Sequence, residues 1–275
     1  MRQLTYRDVK VSGIRLRVSE AGSGPAVLLL HTAFMDRTCW NAVIEALAPR
    51  FRVVAPDLPG FGESEKPAES RFSYTVEAFA HVVTDLFAGL ELGQGCVVGH
   101  GLGGAVAICL ASRHPELVSR LMLVDALCYP ARLDPTRRLS LIPIVGSFLF
   151  KQLWGKALFR SYFRDVLSAQ AIAPQRIDHY YAAFNTPAAR NSTFAARRAT
   201  QDTRTVVAAV SRIQVPTLVV WGRYDAVYPA ALGQRLAREI RGAGFELLDC
   251  GHSPPEEQAA RLGEVSKKFF LAERA

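Results

Sequence analysis

The stretch VVGHGLGGAVA, residues 97–107, decides the fold of this chain. A β-branched apolar run leads into a cluster of glycines, and an apolar run of helix-forming residues follows. This order predicts a buried strand, a very tight turn and a helix. The turn has the pattern G-x-S-x-G, in which backbone strain presents a side-chain oxygen above the end of a sheet. Gly101 stands where that oxygen-bearing residue belongs, so we expect the turn without its central chemical group.

Composition predicts a globular protein with a large core. The chain has 275 residues, of which 49% are hydrophobic, and this content argues against global disorder. Its five cysteines show no C-x-x-C spacing, so neither a zinc site nor a disulfide framework is predicted. Residues 1–10 are polar, and no stretch approaches the roughly 20 apolar residues that span a bilayer. We therefore expect a cytoplasmic protein without a transmembrane segment.

Positive charge is concentrated in one segment. The formal net charge is +8, and residues 126–212 carry 13 Lys and Arg against four Asp and Glu, whereas the remainder carries 20 against 21. Such a local field favours anionic substrates or partners, with a solvated basic surface as the simpler alternative. No recognition motif accompanies the charge, so no nucleic-acid partner is predicted.

Strand and helix patterns alternate on both sides of this basic segment. Strands are predicted at 10–19 (antiparallel), 26–30, 51–55, 95–99, 121–124, 216–221 and 245–248. Helices are predicted at 36–48, 75–90, 102–113, 229–241 and 256–271. This alternation predicts an α/β fold with a mostly parallel, doubly wound sheet. Residues 126–212 read as a helical cap inserted after the sixth strand, into a core domain made of residues 1–125 and 213–275.

Five motifs, in order along nearly the whole chain, resemble the α/β-hydrolase superfamily. They are LLLH at 28–31 followed by Trp40, DLPGFGES at 57–64, GHGLG at 99–103, WGRYD at 221–225 and GHSPPE at 251–256. The resemblance implies the α/β-hydrolase fold and does not identify a substrate. Two residues depart from the family pattern. Thr32 replaces the usual glycine of the oxyanion loop, and Gly101 replaces the nucleophilic serine.

Position by position, the resemblance implies a Ser-Asp-His-type triad with Gly101 at the nucleophile position, Asp225 as the acid and His252 as the base. Asp225 would fix the tautomer of His252 and stabilise its imidazolium form. The backbone N–H groups of Ala33 and Leu102 would form the oxyanion hole, contributing roughly 3–4 kcal/mol per donor. Without a side-chain oxygen at position 101, an acyl-enzyme cannot form there, and losing a triad nucleophile costs about a millionfold in rate.

Further candidates surround this triad. Asp125 follows the strand after the turn and is a reserve acid. Its alternative role is structural, capping the turn that leads into the cap segment. Cys128 is a candidate replacement nucleophile. An apolar substrate pocket is expected under the cap. Its predicted substrate-binding residues are Phe34, His100, Phe148, Trp154 and Tyr162. For His100, which precedes the central position of the turn, the alternative is packing or hydrogen bonding behind the site. No metal and no cofactor are predicted.

Three hypotheses for function stay open at this point. The first is a hydrolase of an ester, lactone or related acyl bond in an apolar substrate, free or carrier-bound, in which Gly101 marks an inactivated variant. The second is a natural enzyme without a nucleophile at position 101, in which His252 and Asp225 form a general base for cyclase, lyase or cofactor-free chemistry. The third is a non-catalytic binding protein whose basic cap docks an acidic partner such as an acyl carrier protein.

Overall fold

The computed structural model describes residues 4–130, 154–166 and 172–272, together with Gly146, Phe148 and Gln152. Within these residues one eight-stranded sheet has the order β1-β2-β4-β3-β5-β6-β7-β8. Its strands are β1 (Thr5–Val11), β2 (Ile14–Ala21), β3 (Ala26–Leu30), β4 (Arg52–Pro56), β5 (Gly95–His100), β6 (Val118–Val124), β7 (Thr217–Gly222) and β8 (Gly244–Leu248). The β1–β2 and β2–β4 pairs are antiparallel and the other pairs are parallel. The predicted mostly parallel sheet is confirmed.

The N-terminal segment forms a hairpin, whereas the sequence pattern predicted one strand at 10–19. Val11 at the end of β1 pairs with Ile14 at the start of β2, which leaves Ser12 and Gly13 as a two-residue turn. Both have positive φ, 50° and 72°, as the tight turns that match strand twist require. Polarity alternates on both sides of so short a turn, and therefore the pattern did not reveal the reversal.

The described helices follow the predicted alternation with two differences. They are α1 (Asn41–Leu47), α2 (Val76–Gly89), α3 (Leu102–Arg113), α4 (Lys156–Val166), α5 (Pro174–Phe184), α6 (Pro187–Ala199), α7 (Arg204–Val210), α8 (Ala230–Glu239), α9 (Pro254–Glu257) and α10 (Ala259–Leu271). The helix predicted at 36–48 begins as a 3-10 turn, Arg37–Trp40, before α1. The closing helix breaks at Gln258, whose ψ of 38° lies outside the helical region.

Both faces of the sheet are covered. On β3, Leu28 and Leu30 belong to the apolar cluster that contains α2 and α3, while Val27 and Leu29 belong to the cluster that contains α1 and α10. Successive strand side chains point to opposite faces, so a strand covered on both sides must be apolar throughout. On β3, β4, β5 and β7, polar residues are consequently confined to the strand ends, where the functional motifs lie.

Along the chain, helices α4 to α7 come between β6 and β7, within the predicted cap. Ion pairs join α5 to the core, with Arg176 2.5 Å from Glu256 and His179 2.9 Å from Asp36. Helix α7 packs against α3 beside the sheet. The domain boundaries after residues 125 and 212 stay a prediction. Of the helices in the described ranges, none is long and apolar enough to cross a membrane.

Candidate active site

The tight turn between β5 and α3 is centred on Gly101. This residue has φ 51° and ψ −112°, a region that residues with a side chain enter only under strain. Its glycine neighbours permit close packing: a Cβ on Gly103 would fall under 3.0 Å from the carbonyl oxygen of Leu30, and one on Gly99 would meet the carbonyl of Gly103 equally closely. The glycine cluster therefore allows the start of α3 to press against the end of the sheet.

His252 and Asp225 form a buried hydrogen-bonded pair at the same edge of the sheet. Asp225 follows β7 and His252 follows β8, and their Nδ1 and Oδ2 atoms are 2.8 Å apart. The side chains are 7% and 0% exposed, respectively. Oδ1 of Asp225 accepts hydrogen bonds from the backbone N–H groups of Val227 at 2.7 Å and Tyr228 at 2.9 Å. These two donors fix the carboxylate, so its other oxygen faces His252.

His100 lies behind the pair and does not line the cavity. Its Nε2–H donates to the backbone carbonyl of His252 at 2.7 Å, and the two rings lie 5.2 Å apart. Burial lowers the pKa of His100 well below its usual value. Its ring is therefore neutral and positions the His252 loop, so of its two predicted roles the geometry favours hydrogen bonding behind the site over substrate binding.

Thr32 occupies the space beside Gly101. A Cβ built on Gly101 would lie well under 3.0 Å from Thr32 Oγ1, 2.7 Å from Thr32 Cβ and 3.7 Å from His252 Nε2. The Leu102 N–H, one of the two predicted oxyanion donors, points at Thr32 Oγ1 at 3.4 Å. The two departures from the family pattern are thus in contact, and a serine at position 101 would collide with Thr32.

A cavity of about 180 Å³ opens onto these groups. Its wall includes Thr32, Ala33, Phe34, Met35, Leu102, Leu127, Tyr162, Phe163, Arg197, Tyr228 and His252. Pockets for drug-sized ligands are larger, roughly 300–1,000 Å³, so the cavity suits a small substrate. Among its described wall residues, Arg197 is the one with a permanent charge, and its guanidinium lies 5.7 Å from the centre of the Phe34 ring.

The predicted aromatic contacts divide between cavity and surroundings. Phe34 and Tyr162 line the wall. Trp154 packs behind them, with its ring centre 5.6 Å from Phe34 and 5.9 Å from Tyr162. Phe148 is 60% exposed and lies outside the described wall. Its place in the apolar part of the cap segment did not imply a place in the cavity, because an apolar stripe does not specify which side chains face the site.

Asp125 and Cys128 have structural surroundings. Asp125 Oδ1 accepts from the Gly222 N–H at 2.7 Å, and it is Asp225 that holds the Nδ1 atom of His252. Burial raises the pKa of the Asp125 carboxyl well above its usual range, and nearby Asp225 adds to this effect. Burial also raises the pKa of the Cys128 thiol to about 12. A carboxyl whose charged form is disfavoured is poorly suited to be the acid of a triad, and a protonated thiol is poorly suited to be its nucleophile.

One cluster of described residues has metal-ligand character. Ligand-type atoms of His100, Asp125 and His252 lie within 4.8 Å of one another, and all three residues are buried. Two of their atoms are already engaged, since His252 Nδ1 pairs with Asp225 and His100 Nε2 bonds the carbonyl of His252. Burial also disfavours the charged form of Asp125 that a cation would need. The cluster therefore suits support of the His252 loop better than it suits a metal ion.

The fold, the glycine turn and the histidine–aspartate pair together define the α/β-hydrolase class. The sequence model of the Alpha/beta hydrolase family matches residues 27–265, and the chain belongs to this family. It is 31% identical over 273 residues to an uncharacterized protein of Mycobacterium tuberculosis (strain ATCC 25618 / H37Rv), covering 94% of this chain and 79% of that protein. It is 30% identical over 282 residues to 2-hydroxymuconate semialdehyde hydrolase of Pseudomonas sp. (strain CF600), covering 96% and 93%. Among solved structures, the enol-lactonase from Burkholderia xenovorans LB400 matches with a TM-score of 0.83 at 23% identity, covering 97% and 100%, a likeness of fold.

Two features of the site were missed by the sequence analysis. The departures at Thr32 and Gly101 were both noted, but their contact was not, although they fall in two motifs whose strands are neighbours in this fold. Arg197 was counted only within the basic segment. Helix α6 gives no local signal that this arginine faces a cavity rather than solvent.

Proposed function

We propose that the chain is a hydrolase of an acyl bond, an ester or a lactone, in a small and largely apolar substrate. His252, oriented by Asp225, is the general base that takes the proton of the attacking oxygen. The N–H groups of Ala33 and Leu102 receive the developing oxyanion. The observation that carries the proposal is the 2.8 Å pairing of His252 with Asp225, beside a cavity that both donor residues line. The relative named 2-hydroxymuconate semialdehyde hydrolase supports hydrolysis as the class of reaction.

The contact of Thr32 with the position of a Gly101 side chain favours a natural site over an inactivated variant. A serine restored at position 101 alone would be forced against Thr32, so Gly101 and Thr32 are better explained as a matched pair. A natural glycine at position 101 also fits a second candidate function, in which His252 removes a proton from the substrate itself for cyclase or lyase chemistry. Product analysis separates the two, because only hydrolysis adds the elements of water.

The position of Arg197 in the cavity wall supports an anionic group on the substrate. A guanidinium recognises a carboxylate through charge-assisted hydrogen bonds. The surface charge of the cap gives weaker support to an acidic protein partner, because several of its cations are already paired. Lys156 and Arg160 both bind Asp178. A carrier-bound acyl substrate stays a proposal on these grounds.

The test is hydrolysis of p-nitrophenyl esters with acyl chains of two to eight carbons, and of a small aromatic lactone, with products identified by mass spectrometry. We expect turnover by the purified chain and a fall in kcat/KM of about 10²–10⁴-fold in His252→Ala, the range for loss of a positioned general base. His81→Ala is the matched control, because the His81 side chain is 72% exposed on α2. Equal turnover by His252→Ala and His81→Ala would refute the proposal.

A further inference from the structure

The hydroxyl of Thr32 lies beside Gly101, the position at which a G-x-S-x-G turn carries its nucleophilic residue. An ideal Cβ on Gly101 is well under 3.0 Å from Thr32 Oγ1 and 3.7 Å from His252 Nε2. The oxygen of a serine would be one covalent bond from that same Cβ. Thr32 therefore brings an oxygen into the volume left by the absent side chain, from the adjoining loop rather than from the turn itself.

We propose that Thr32 Oγ1 is the nucleophile of this enzyme and that its proton passes to His252. The inference rests on the proposed function, since it supplies the attacking oxygen for the base already described. It assigns to a residue of the oxyanion loop the part that the residue at position 101 cannot play.

Hydrogen bonds of the His31 ring and of the backbone hold Thr32 in this position. His31 Nδ1–H donates to the Thr32 carbonyl at 2.7 Å, while His31 Nε2 accepts from the Leu58 N–H at 2.9 Å. Gly103 N–H donates to the carbonyl of His31 at 3.2 Å. The loop is thereby tied both to the turn at Gly101 and to the loop after β4, which limits the entropy lost in aligning the hydroxyl for attack.

The Thr32 hydroxyl shares a cavity wall with the base that would take its proton. Leu102 N–H donates to Thr32 Oγ1, so this contact uses a lone pair of the oxygen and leaves its hydrogen for another acceptor. Thr32 is buried and shares the cavity wall with His252. A neutral imidazole whose Nδ1–H is held by Asp225 presents an unprotonated Nε2 to the cavity.

The reaction balances as two acyl transfers. Thr32 Oγ1 attacks the substrate carbonyl carbon and its proton moves to His252 Nε2. The tetrahedral intermediate then expels the alkoxide, which takes that proton and leaves as an alcohol, with the acyl group esterified to Thr32. Water attacks this ester and gives its proton to His252; the threonine oxygen leaves with that proton, and the carboxylic acid is released. In both steps the Leu102 N–H turns from Thr32 Oγ1, its acceptor in the free chain, to the developing oxyanion, which the Ala33 N–H also stabilises.

The closing experiment uses covalent labelling, kinetics and matched variants of the full chain. A fluorophosphonate is reacted with the chain and the adduct is located by peptide mass spectrometry. Thr32→Val keeps the shape of the side chain and removes its hydroxyl, whereas Thr32→Ser keeps the hydroxyl. The double variant Thr32→Gly/Gly101→Ser clears the space and returns an oxygen to the turn, and Gly101→Ser alone does not clear it. Thermal unfolding checks that each variant is folded.

We expect the adduct on residue 32 and a kcat/KM for p-nitrophenyl acetate that falls by at least about 10³-fold in Thr32→Val, within the loss known for triad nucleophiles. Thr32→Ser retains both adduct and turnover. The double variant carries its adduct at position 101 and exceeds Gly101→Ser in turnover. No adduct on residue 32, or turnover by Thr32→Val within tenfold of the unmodified chain, would overturn the inference. If His252→Ala is inactive in that case, the general-base hydrolase survives with water as its nucleophile; if His252→Ala is active, the proposed function fails as well.

Discussion

Replacement of Asp225 by asparagine provides a sharp test of the catalytic pair. The two oxygens of Asp225 have different partners, two backbone N–H groups at Oδ1 and the ring of His252 at Oδ2. In Asp225→Asn, one oxygen becomes an NH2 donor. If the amide oxygen keeps the two backbone donors, the NH2 group faces Nδ1 of His252. The imidazole must then carry its proton on Nε2. With that atom protonated, His252 cannot take the proton of the attacking oxygen.

The opposite orientation of the amide is too costly to rescue the enzyme. It would leave the N–H groups of Val227 and Tyr228 facing a donor, and a buried unsatisfied polar group costs about 1–3 kcal/mol. The wrong tautomer should therefore dominate. Its measured cost in a serine-protease triad is about 10⁴-fold in kcat, which corresponds to about 5.5 kcal/mol at about 1.4 kcal/mol per tenfold. The free energy of unfolding should change little, because both backbone donors keep an acceptor.

The assay is kcat/KM on the best ester of the panel, with Asp125→Asn as the matched control. Asp125 is also fully buried, and burial raises the pKa of its carboxyl well above its usual range, so asparagine resembles its protonated form and retains an acceptor for the Gly222 N–H. We expect a loss near 10⁴-fold for Asp225→Asn and less than tenfold for Asp125→Asn. A loss below tenfold for Asp225→Asn, or equal losses for both variants, would refute the assignment of Asp225 as the acid.

Two further predictions concern the cap. The hydrogen bond to Asp36 raises the pKa of His179; burial of Asp36 raises the pKa of its carboxyl, but hydrogen bonds from His179 and Thr38 outweigh this and lower it to about 2. The pair thus contributes fully to the free energy of unfolding from about pH 4 to about pH 6.5. This contribution falls as pH rises through the folded-state pKa of His179, and it falls again as pH drops toward about 2. Since His179 is half-exposed, we expect this contribution to be less than about 1 kcal/mol. It should appear as a higher Tm than that of His179→Gln at pH 5, with a smaller difference at pH 8. A Tm difference that does not depend on pH would contradict the prediction. For Arg197→Met, we expect KM to rise about 10–100-fold for a substrate that carries a carboxylate, the range for a charged hydrogen bond. KM for the methyl ester of that substrate should change little. Equal effects on the two substrates would contradict an anion site at Arg197.

Local patterns were sufficient for the parallel part of the sheet. Apolar runs as short as the one at 26–30 must be buried on both faces, and glycine or proline marks their ends, so position and type follow from the sequence. Helix α3 begins at Leu102, as predicted, because the glycine turn fixes its start. The hairpin at Ser12 and Gly13 was missed, since its turn is too short to disturb the alternation of polarity around it.

The sequence by itself determined the family, the turn without a side chain at Gly101, and the order in which Asp225 and His252 follow it. These are properties of short motifs, and the carboxyl ends of parallel strands bring such motifs to one edge. Only the tertiary structure decided that Thr32 fills the space beside Gly101, that His100 supports rather than lines the site, and that Arg197 faces the cavity. Those facts depend on how side chains from separate loops and helices pack together, and no local pattern encodes that packing.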